Sequence, residues 1–378
     1  MLVGGSAKPP LTENKRMKPT AKAPPSSQAP LDFPWMREIP ERLQQQLRWR
    51  PPEEPVLPAQ ELLILLYVGK QDSSALDSVL ATRQHVLQAA LVAMDVLRKD
   101  ATIGQDILLD QPFGELCHSC SLGRVRFVGG GPNCRTWSIL RWFPRPGFPQ
   151  TVRGRSEAEV WGLPGLSAEE AADTDRDSLL VLRLMYLVSL ATRGAREHGR
   201  PPPASFLEHP MDPAECSSPP QAHRCSTLWI TRAFRTWKTE VGHSLVTFDQ
   251  CTLGQEVAKS TCLRSNLQLQ QWHQQWCWHA GHSSKKSSNE LSRYPPAMMT
   301  GIAQAIMDFL LQGREENRPD VPLPGTGPSG GQAQQGAPTG SVHAQQQMNP
   351  GGAPGPDGSS RDPAQGPPPS GSVGGHIG

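Results

Sequence analysis

The sequence predicts an α/β domain with a mainly parallel sheet. Short apolar runs of strand length, such as residues 62–68, alternate along the chain with segments of helical periodicity, such as residues 175–196. The apolar runs end at glycine or acidic residues, as buried parallel strands do where they leave a sheet. Strands that alternate with helices form βαβ units, and this alternation continues from residue 56 to residue 313.

The predicted elements are justified by length, composition and periodicity. Strand-length runs rich in apolar and β-branched residues predict strands at residues 62–68, 91–94, 124–128, 204–207 and 245–248. Apolar residues at spacings of three and four predict helices at residues 73–88, 111–122, 175–196 and 297–311. Ser73 or Ser74 is a suitable N-cap for the first helix. Residues 141–166 are rich in proline and are expected to lack regular structure.

Both ends of the chain are expected to be disordered. Residues 1–55 are rich in proline and lack apolar periodicity, and residues 314–378 are rich in Gly, Pro, Gln and Ser. Such compositions bury too little apolar surface to offset the entropy cost of ordering the chain. The sequence therefore predicts a flexible arm at 1–55, one folded domain at 56–313 and a disordered tail at 314–378. A Pro- and Arg-rich insertion is predicted at 139–175.

Basic residues concentrate in two stretches that contain no acid, although the net charge is only +2. Residues 116–156 hold seven arginines, and residues 257–289 hold four cations interleaved with three tryptophans. Cations among aromatic rings suit phosphate contact and base stacking, so nucleic acid is the expected partner. An Arg-rich surface loop without a ligand is the alternative. The predicted contacts are Arg135, Arg141, Arg145, Arg153, Arg155 and Lys259.

Cysteine use and hydropathy indicate the compartment. The eight cysteines are scattered, unlike the dense disulfide framework of a small secreted protein. The first 30 residues lack the charged and apolar regions of a signal peptide. The longest apolar runs are too short, or too interrupted by charge, to span a bilayer. We expect a nuclear or cytoplasmic protein that is not secreted and has no membrane partner; the oligomeric state stays open.

The loop after strand 124–128 is the most informative motif. Residues 129–134 read GGGPNC. A glycine-rich loop lets the backbone approach a ligand closely, and open α/β sheets bind ligands at the carboxyl ends of their strands. Cys134 lies there, and Glu208 ends another predicted strand. A cation such as Arg135 would favour the thiolate of Cys134. The alternatives are a buried, inert thiol and an exposed strand-end carboxylate.

This loop resembles the Pro-Cys loop of DNA (cytosine-5) methyltransferases. Residues 206–210, which read FLEHP, resemble that family's Glu-containing motif, and residues 248–254 followed by Lys259 resemble its late motif. The resemblance implies a Rossmann-like, class I S-adenosylmethionine-dependent methyltransferase fold, in the degenerate form found in mobile-element-associated protein families of protists. It implies Cys134 as the nucleophile, with Glu208 assisting. The implied contacts to S-adenosylmethionine are Gly69, Asp95 and Asp106.

The sequence departs from the family pattern where the cofactor binds. The segment after the first strand has one glycine and then the bulky pair Lys70 and Gln71. Lys259 is the only cation near the late motif, where the family has paired arginines, and lysine lacks their planar fork. These departures favour a degenerate, methyltransferase-like, nucleic-acid-binding protein without catalysis. An active DNA or RNA cytosine-5 methyltransferase and a protein-interaction scaffold are the open alternatives.

Two groups of cysteine and histidine residues have spacings that suggest zinc. The first is Cys117 with Cys120, and the second is His273, Cys277, His279 and His282. A tetrahedral zinc site needs four ligands, and neither group shows a cleanly repeated pair. We therefore predict no metal site, and the second group is the better candidate if one exists.

Overall fold

Six strands form one mixed sheet in the computed structural model, which describes residues 32–53, 57, 60–67, 76–94, 106–142, 150–215, 224–257, 259–278 and 294–315. The strands are β1 Leu62–Leu66, β2 Ala90–Met94, β3 Val125–Gly130, β4 Ala204–Pro210, β5 Ser244–Asp249 and β6 Ser260–Ser265. The helices are α1 Glu41–Gln45, α2 Leu76–Ala81, α3 Gln84–Leu87, α4 Asp110–Ser121, α5 Ala168–Glu197, α6 Arg232–Val241 and α7 Pro296–Glu315.

The sheet is parallel except for one strand. Its order is β2-β1-β3-β4-β6-β5, with β6 antiparallel to both β4 and β5. The other neighbouring pairs are parallel. Because β6 is reversed between them, β4 and β5 run in the same direction. The carboxyl ends of β1, β3, β4 and β5 therefore lie along one side of the sheet, where β6 begins. We call this side the carboxyl edge.

Helices cover both faces of the sheet. Alternate residues of β1 point to opposite faces, as the pleat of a strand requires. Leu62, Ile64 and Leu66 join a buried cluster with residues of α4, α5 and α6. Leu63 and Leu65 join a second cluster with residues of α2 and α7. The prediction of an α/β domain with a mainly parallel sheet is confirmed.

The long helix α5 forms the centre of the first cluster. It begins at Ala168, inside the predicted insertion, because Ser167 and Glu170 form a reciprocal capping box at its start. By length and composition α5 could cross a membrane, but 89% of its apolar window is buried inside the protein. The rest of the predicted insertion has little regular structure where it is described.

Part of the predicted flexible arm is folded. Pro34–Glu38 forms a 3-10 turn and α1 follows it. Phe33, Trp35 and Leu43 are fully buried against the first cluster. The prediction of disorder is wrong for residues 32–47, since the prolines concealed apolar residues that pack against α5. Residues 1–31 and 316–378 lie outside the described part of the chain, and α7 ends at Glu315, so its last two residues lie in the predicted tail.

Besides α1, one strand and one helix were missed in the sequence. Strand β6 reads STCLRS, and its small polar residues lack the apolar content that marks a strand. Helix α6 is mostly polar and buries only Ala233, Phe234 and Trp237. The sheet contacts of β6 on both sides, rather than its composition, determine that it is a strand.

Candidate functional site at the carboxyl edge

The topology places the Cys134 loop at a switch point of the sheet. From β1 the chain passes to β2 on one side, while β3 and β4 lie on the other. Ligands of open α/β sheets bind at such reversals, beyond the carboxyl ends of the strands. Tyr67, directly after β1, adopts a left-handed φ of 62°, an unusual conformation for a residue other than glycine. The loop after β3 begins beside it.

The glycines of the loop are required by close packing. A Cβ atom on Gly130 would lie 2.3 Å from the carbonyl oxygen of Leu66 in the neighbouring strand. A Cβ atom on Gly131 would lie 2.0 Å from the Tyr294 hydroxyl and 2.6 Å from Glu208 Oε2. Gly130 therefore allows the strands to pair, and Gly131 allows the loop to approach two polar side chains of the candidate site.

Glu208 is held by three side chains from different elements. It lies within β4 and is 4% exposed. Lys259 Nζ, just before β6, is 3.5 Å from its Oε1. The Tyr294 hydroxyl, just before α7, donates to its Oε2 at 3.1 Å, and Gln250 Nε2, just after β5, lies 3.4 Å from Oε1. We call Glu208, Lys259, Gln250 and Tyr294 the Glu208 cluster. It is not the exposed strand-end carboxylate of the alternative interpretation.

Cys134 is close enough to this cluster to interact with it electrostatically. Burial raises the pKa of the Cys134 thiol; the nearby Lys259 lowers it, and Glu208 and Asp177 raise it further. The cation that favours the thiolate is thus Lys259. Arg135, which we expected in that role, forms an ion pair with Asp173 at 2.7 Å instead. The net effect leaves the thiol of Cys134 protonated at neutral pH.

Asp177 of α5 fixes the loop that carries Cys134. Its side chain is fully buried, and it accepts a hydrogen bond from the Thr136 backbone N–H at 2.9 Å. Asn133 Nδ2 lies 3.5 Å from its other oxygen. Burial raises the pKa of Asp177, and its hydrogen bonds with Thr136 lower it. No sequence pattern indicates this role, because Asp177 belongs to a helix far from the loop in the chain.

Gln250 contributes an acceptor without a partner. Its side chain is fully buried, and its Nε2 donates to Thr261 Oγ1 at 2.8 Å. Its Oε1 makes no hydrogen bond among the described residues. A buried polar atom without a partner is unfavourable, so such atoms are uncommon and often mark functional positions. Gln250 could be suspected from its place after β5, whereas no sequence pattern pointed to Tyr294.

Two of the predicted phosphate contacts have structural roles. Arg153 is 1% exposed and donates hydrogen bonds to Thr136 Oγ1, Val160 O, Thr174 O and Ser178 Oγ. Arg155 forms a two-bond ion pair with Asp212 and donates to Cys225 O. The prediction that Arg153 contacts nucleic acid is wrong, because its guanidinium is enclosed by protein acceptors. The guanidinium of Arg155 is likewise occupied by acceptors within the protein.

Arg135 and Arg141 are the predicted contacts that remain available near Cys134. The side chain of Arg135 is 45% exposed despite its ion pair. Arg141 Nε donates to Arg135 O and its Nη1 donates to Gln150 O, so the two residues are adjacent. Arg145 lies outside the described residues. The two predicted contacts that remain able to bind phosphate thus follow Cys134 closely in the chain.

Of the three residues implied to contact S-adenosylmethionine, only Asp106 lies within the described part of the chain. Asp106 Oδ1 accepts a hydrogen bond from the Leu108 backbone N–H at 2.8 Å and so closes a turn before α4. Gly69 and Asp95 lie outside the described residues. Because one oxygen of Asp106 serves a local turn, it does not by itself form a cofactor site, and no reaction step is derived through the cofactor.

The described members of the two candidate zinc groups have other contacts. Cys117 and Cys120 are fully buried in α4, and burial raises the pKa of both thiols, which suits packing. Thr247 donates its backbone N–H to His273 Nδ1, and Cys277 donates its backbone N–H to Asp249 Oδ2. His279 and His282 lie outside the described residues. Within the described ranges, no group of three or more His, Cys, Asp or Glu side chains could hold a metal ion.

A surface cavity of about 620 Å³ lies elsewhere on the domain. It is lined by the insertion and the start of α5, including Trp161, Leu163 and Asp175. None of its lining residues belongs to the Glu208 cluster or to the loop of Cys134. The chemistry-bearing side chains converge at the carboxyl edge, and the site is therefore placed there.

Comparison with known proteins gives no family. No protein-family model and no curated protein sequence matches this chain. The candidate function therefore follows from the side chains that meet at the carboxyl edge, together with the motifs that first singled out Cys134 and Glu208.

Proposed function

We propose that this protein binds nucleic acid and receives an unstacked cytosine base at the carboxyl edge, without transferring a methyl group to it. The observation that carries the proposal is the convergence of Cys134, Glu208 and Lys259, which are separated in sequence, at a switch point of the sheet. The methyltransferase-like character of the domain is part of the same proposal. It is supported by the mainly parallel α/β sheet and by the position of Cys134 directly after one of its strands.

Glu208 has the chemistry to select cytosine. A carboxylate accepts a hydrogen bond from the amino group of cytosine, which thymine replaces with a carbonyl oxygen. Lys259 compensates the charge of Glu208 and keeps the carboxylate in place. A base inside a duplex cannot reach a recessed carboxylate, so the base must leave its stack, as it does in enzymes that act on bases.

Arg135 and Arg141 are suited to hold the backbone of the same nucleotide. Both follow Cys134 within seven residues and present partly exposed guanidinium groups. Phosphate contacts of this kind add affinity that depends on salt but not on sequence. The absence of methyl transfer is supported by the thiol, because burial raises the pKa of Cys134 and so lowers the fraction of the thiolate that would attack the base.

Binding to DNA duplexes with one central cytosine opposite an abasic site tests the proposal. Fluorescence anisotropy compares this duplex with the same duplex carrying thymine. We expect a preference for cytosine of about tenfold, the low end of the discrimination that one good base contact provides. Glu208→Gln should reduce the preference, while Glu169→Gln, an exposed carboxylate in the first turn of α5, should keep it. Equal affinity of the unaltered protein for both duplexes contradicts the proposal.

The convergence of Cys134 and Glu208 also favours a second candidate, an active cytosine-5 methyltransferase. That activity requires the Cys134 thiolate to form a bond to C6 of cytosine. Because the pKa of Cys134 is raised, the thiolate fraction grows as pH rises. A covalent adduct with a mechanism-based cytosine analogue, formed in the presence of S-adenosylmethionine at neutral pH and lost in Cys134→Ser, would favour this candidate over the binding protein.

A further inference from the structure

Tyr294 occupies the space beside Glu208 and the Cys134 loop. Its hydroxyl donates to Glu208 Oε2 at 3.1 Å. A Cβ atom at Gly131 would lie 2.0 Å from that hydroxyl, so the loop and the tyrosine are in close contact. Burial raises the pKa of Tyr294, and the charges of Glu208 and Cys134 raise it further, which places all three groups in one region.

The surroundings of the Tyr294 ring resemble those that a nucleobase would have. The ring is planar and aromatic, and it presents one hydrogen-bond donor to a carboxylate. Lys259 Nζ lies 5.9 Å from the ring centroid, within the range of a cation–π contact. A cytosine whose amino group donated to Glu208 would need the same carboxylate oxygen and the same space next to Gly131.

We propose that Tyr294 is a built-in competitor of the base, holding Glu208 in the absence of nucleic acid and determining which ring can replace it. This inference rests on the proposed function. A ring displaces Tyr294 only if it restores a hydrogen bond to Glu208. Heterocycles with a donor at the matching edge, such as the amino edge of cytosine, satisfy this condition, and thymine does not. The unpartnered Oε1 of buried Gln250 provides a further acceptor next to Glu208.

Competition between Tyr294 and the base affects both the affinity for the base and the reactivity of the Cys134 thiol. If the site can bind a base only after Tyr294 has left, its apparent affinity is lower than its intrinsic affinity. The apparent affinity equals the intrinsic affinity multiplied by the fraction of protein molecules in which Tyr294 has left the site. The same displacement should expose the thiol of Cys134 further, because Cys134 is only partly buried and lies in the same region as Tyr294. Alkylation of Cys134 therefore reports the position of Tyr294 without any nucleic acid, and it separates the test of this inference from the test of the proposed function.

The experiment measures the alkylation rate of each cysteine by iodoacetamide, with peptide mapping by mass spectrometry, in the full chain. Tyr294→Ala should raise the rate at Cys134 by about tenfold, because a more exposed thiol is easier to reach and ionises more readily. Tyr294→Phe keeps the ring but loses the hydrogen bond to Glu208, and it should give a smaller rise. Cys117, fully buried in α4, is the internal control and should stay protected in both variants.

The outcomes are distinct. An unchanged rate at Cys134 in Tyr294→Ala, with Cys117 protected, overturns the inference. If Cys117 becomes reactive in Tyr294→Ala, that variant has lost its fold. The test then uses Tyr294→Phe, and an unchanged rate at Cys134 in that variant overturns the inference. Tighter binding of the cytosine duplex by the folded variant supports both the competition and the proposed function. Faster alkylation with no binding of any duplex supports the role of Tyr294 as a cover and contradicts the proposed function.

Discussion

Replacement of Arg153 by alanine should destabilise the domain strongly. The guanidinium is 1% exposed and donates to the backbone oxygens of Val160 and Thr174 and to two hydroxyl groups. It also stacks 3.7 Å above the centre of the Trp137 ring. Removing one partner from a buried, charged network costs about 3–5 kcal/mol, since the remaining acceptors stay buried without a donor. We expect a loss of about 4 kcal/mol.

Urea unfolding monitored by circular dichroism measures this loss. For a domain of this size the change corresponds to a fall in Tm of about 8–16 °C, which calorimetry can check independently. The matched control is Arg176→Ala, whose side chain is 61% exposed and whose ion pair with Asp173 is long, at 3.9 Å. An exposed pair of this kind contributes less than about 1 kcal/mol. A loss below about 1 kcal/mol for Arg153→Ala would refute its assignment as a structural residue.

Three further predictions concern pH, packing and salt. Burial lowers the pKa of His209 to about 3 from 6.5, so between these values only the unfolded chain takes up this proton and stability falls as pH falls. In urea titrations at several pH values, His209→Phe should remove about 1.4 kcal/mol of this dependence per pH unit, and an unchanged slope in this variant contradicts the prediction. Gly130→Ala forces a Cβ atom against Leu66 O and should cost about 1–3 kcal/mol in the same assay, and an unaltered midpoint contradicts the close approach. Arg141→Gln should weaken duplex binding equally for cytosine and thymine and reduce the slope of log affinity against log salt by about 1, which anisotropy at several salt concentrations tests.

The strands that were predicted share one property. Strands β1, β3 and β4 contain apolar residues that pack on both faces of the sheet, and β5 contributes Val246 and Phe248 to the second cluster, so their composition distinguishes them. Strand β6 could not be found in this way, because its place between β4 and β5 depends on pairing with strands that precede it in the chain. Local composition carries no information about such long-range pairing.

The folded segment at residues 32–47 illustrates a different limit. Its prolines predicted a flexible arm, yet Phe33 and Trp35 are fully buried, and Trp35 Nε1 donates to Ser189 Oγ in α5. Proline is compatible with the 3-10 turn because it occupies the first position, where its missing N–H costs no hydrogen bond. Composition averaged over the whole arm concealed the apolar residues at one end.

The candidate site was partly predictable for the same reasons. Cys134 and Glu208 were identified because each lies where a strand meets the carboxyl edge. Tyr294 and Asp177 were not, since Tyr294 precedes α7 and Asp177 lies within α5, and the contact of each with the loop depends on tertiary packing. Arg153 was misassigned, because charge composition does not distinguish an exposed arginine from one enclosed by backbone oxygens.

Hydrogen–deuterium exchange with and without the cytosine duplex tests the central claim most directly. If the base is received at the carboxyl edge, peptides covering residues 131–137, 208–212 and 259–263 should exchange more slowly in the complex, because they carry Cys134, Glu208 and Lys259. Peptides covering residues 150–163 of the insertion should be unchanged, since Arg153 and Arg155 are engaged within the protein. Protection confined to residues 150–163, with none at the three strand ends, would contradict the account.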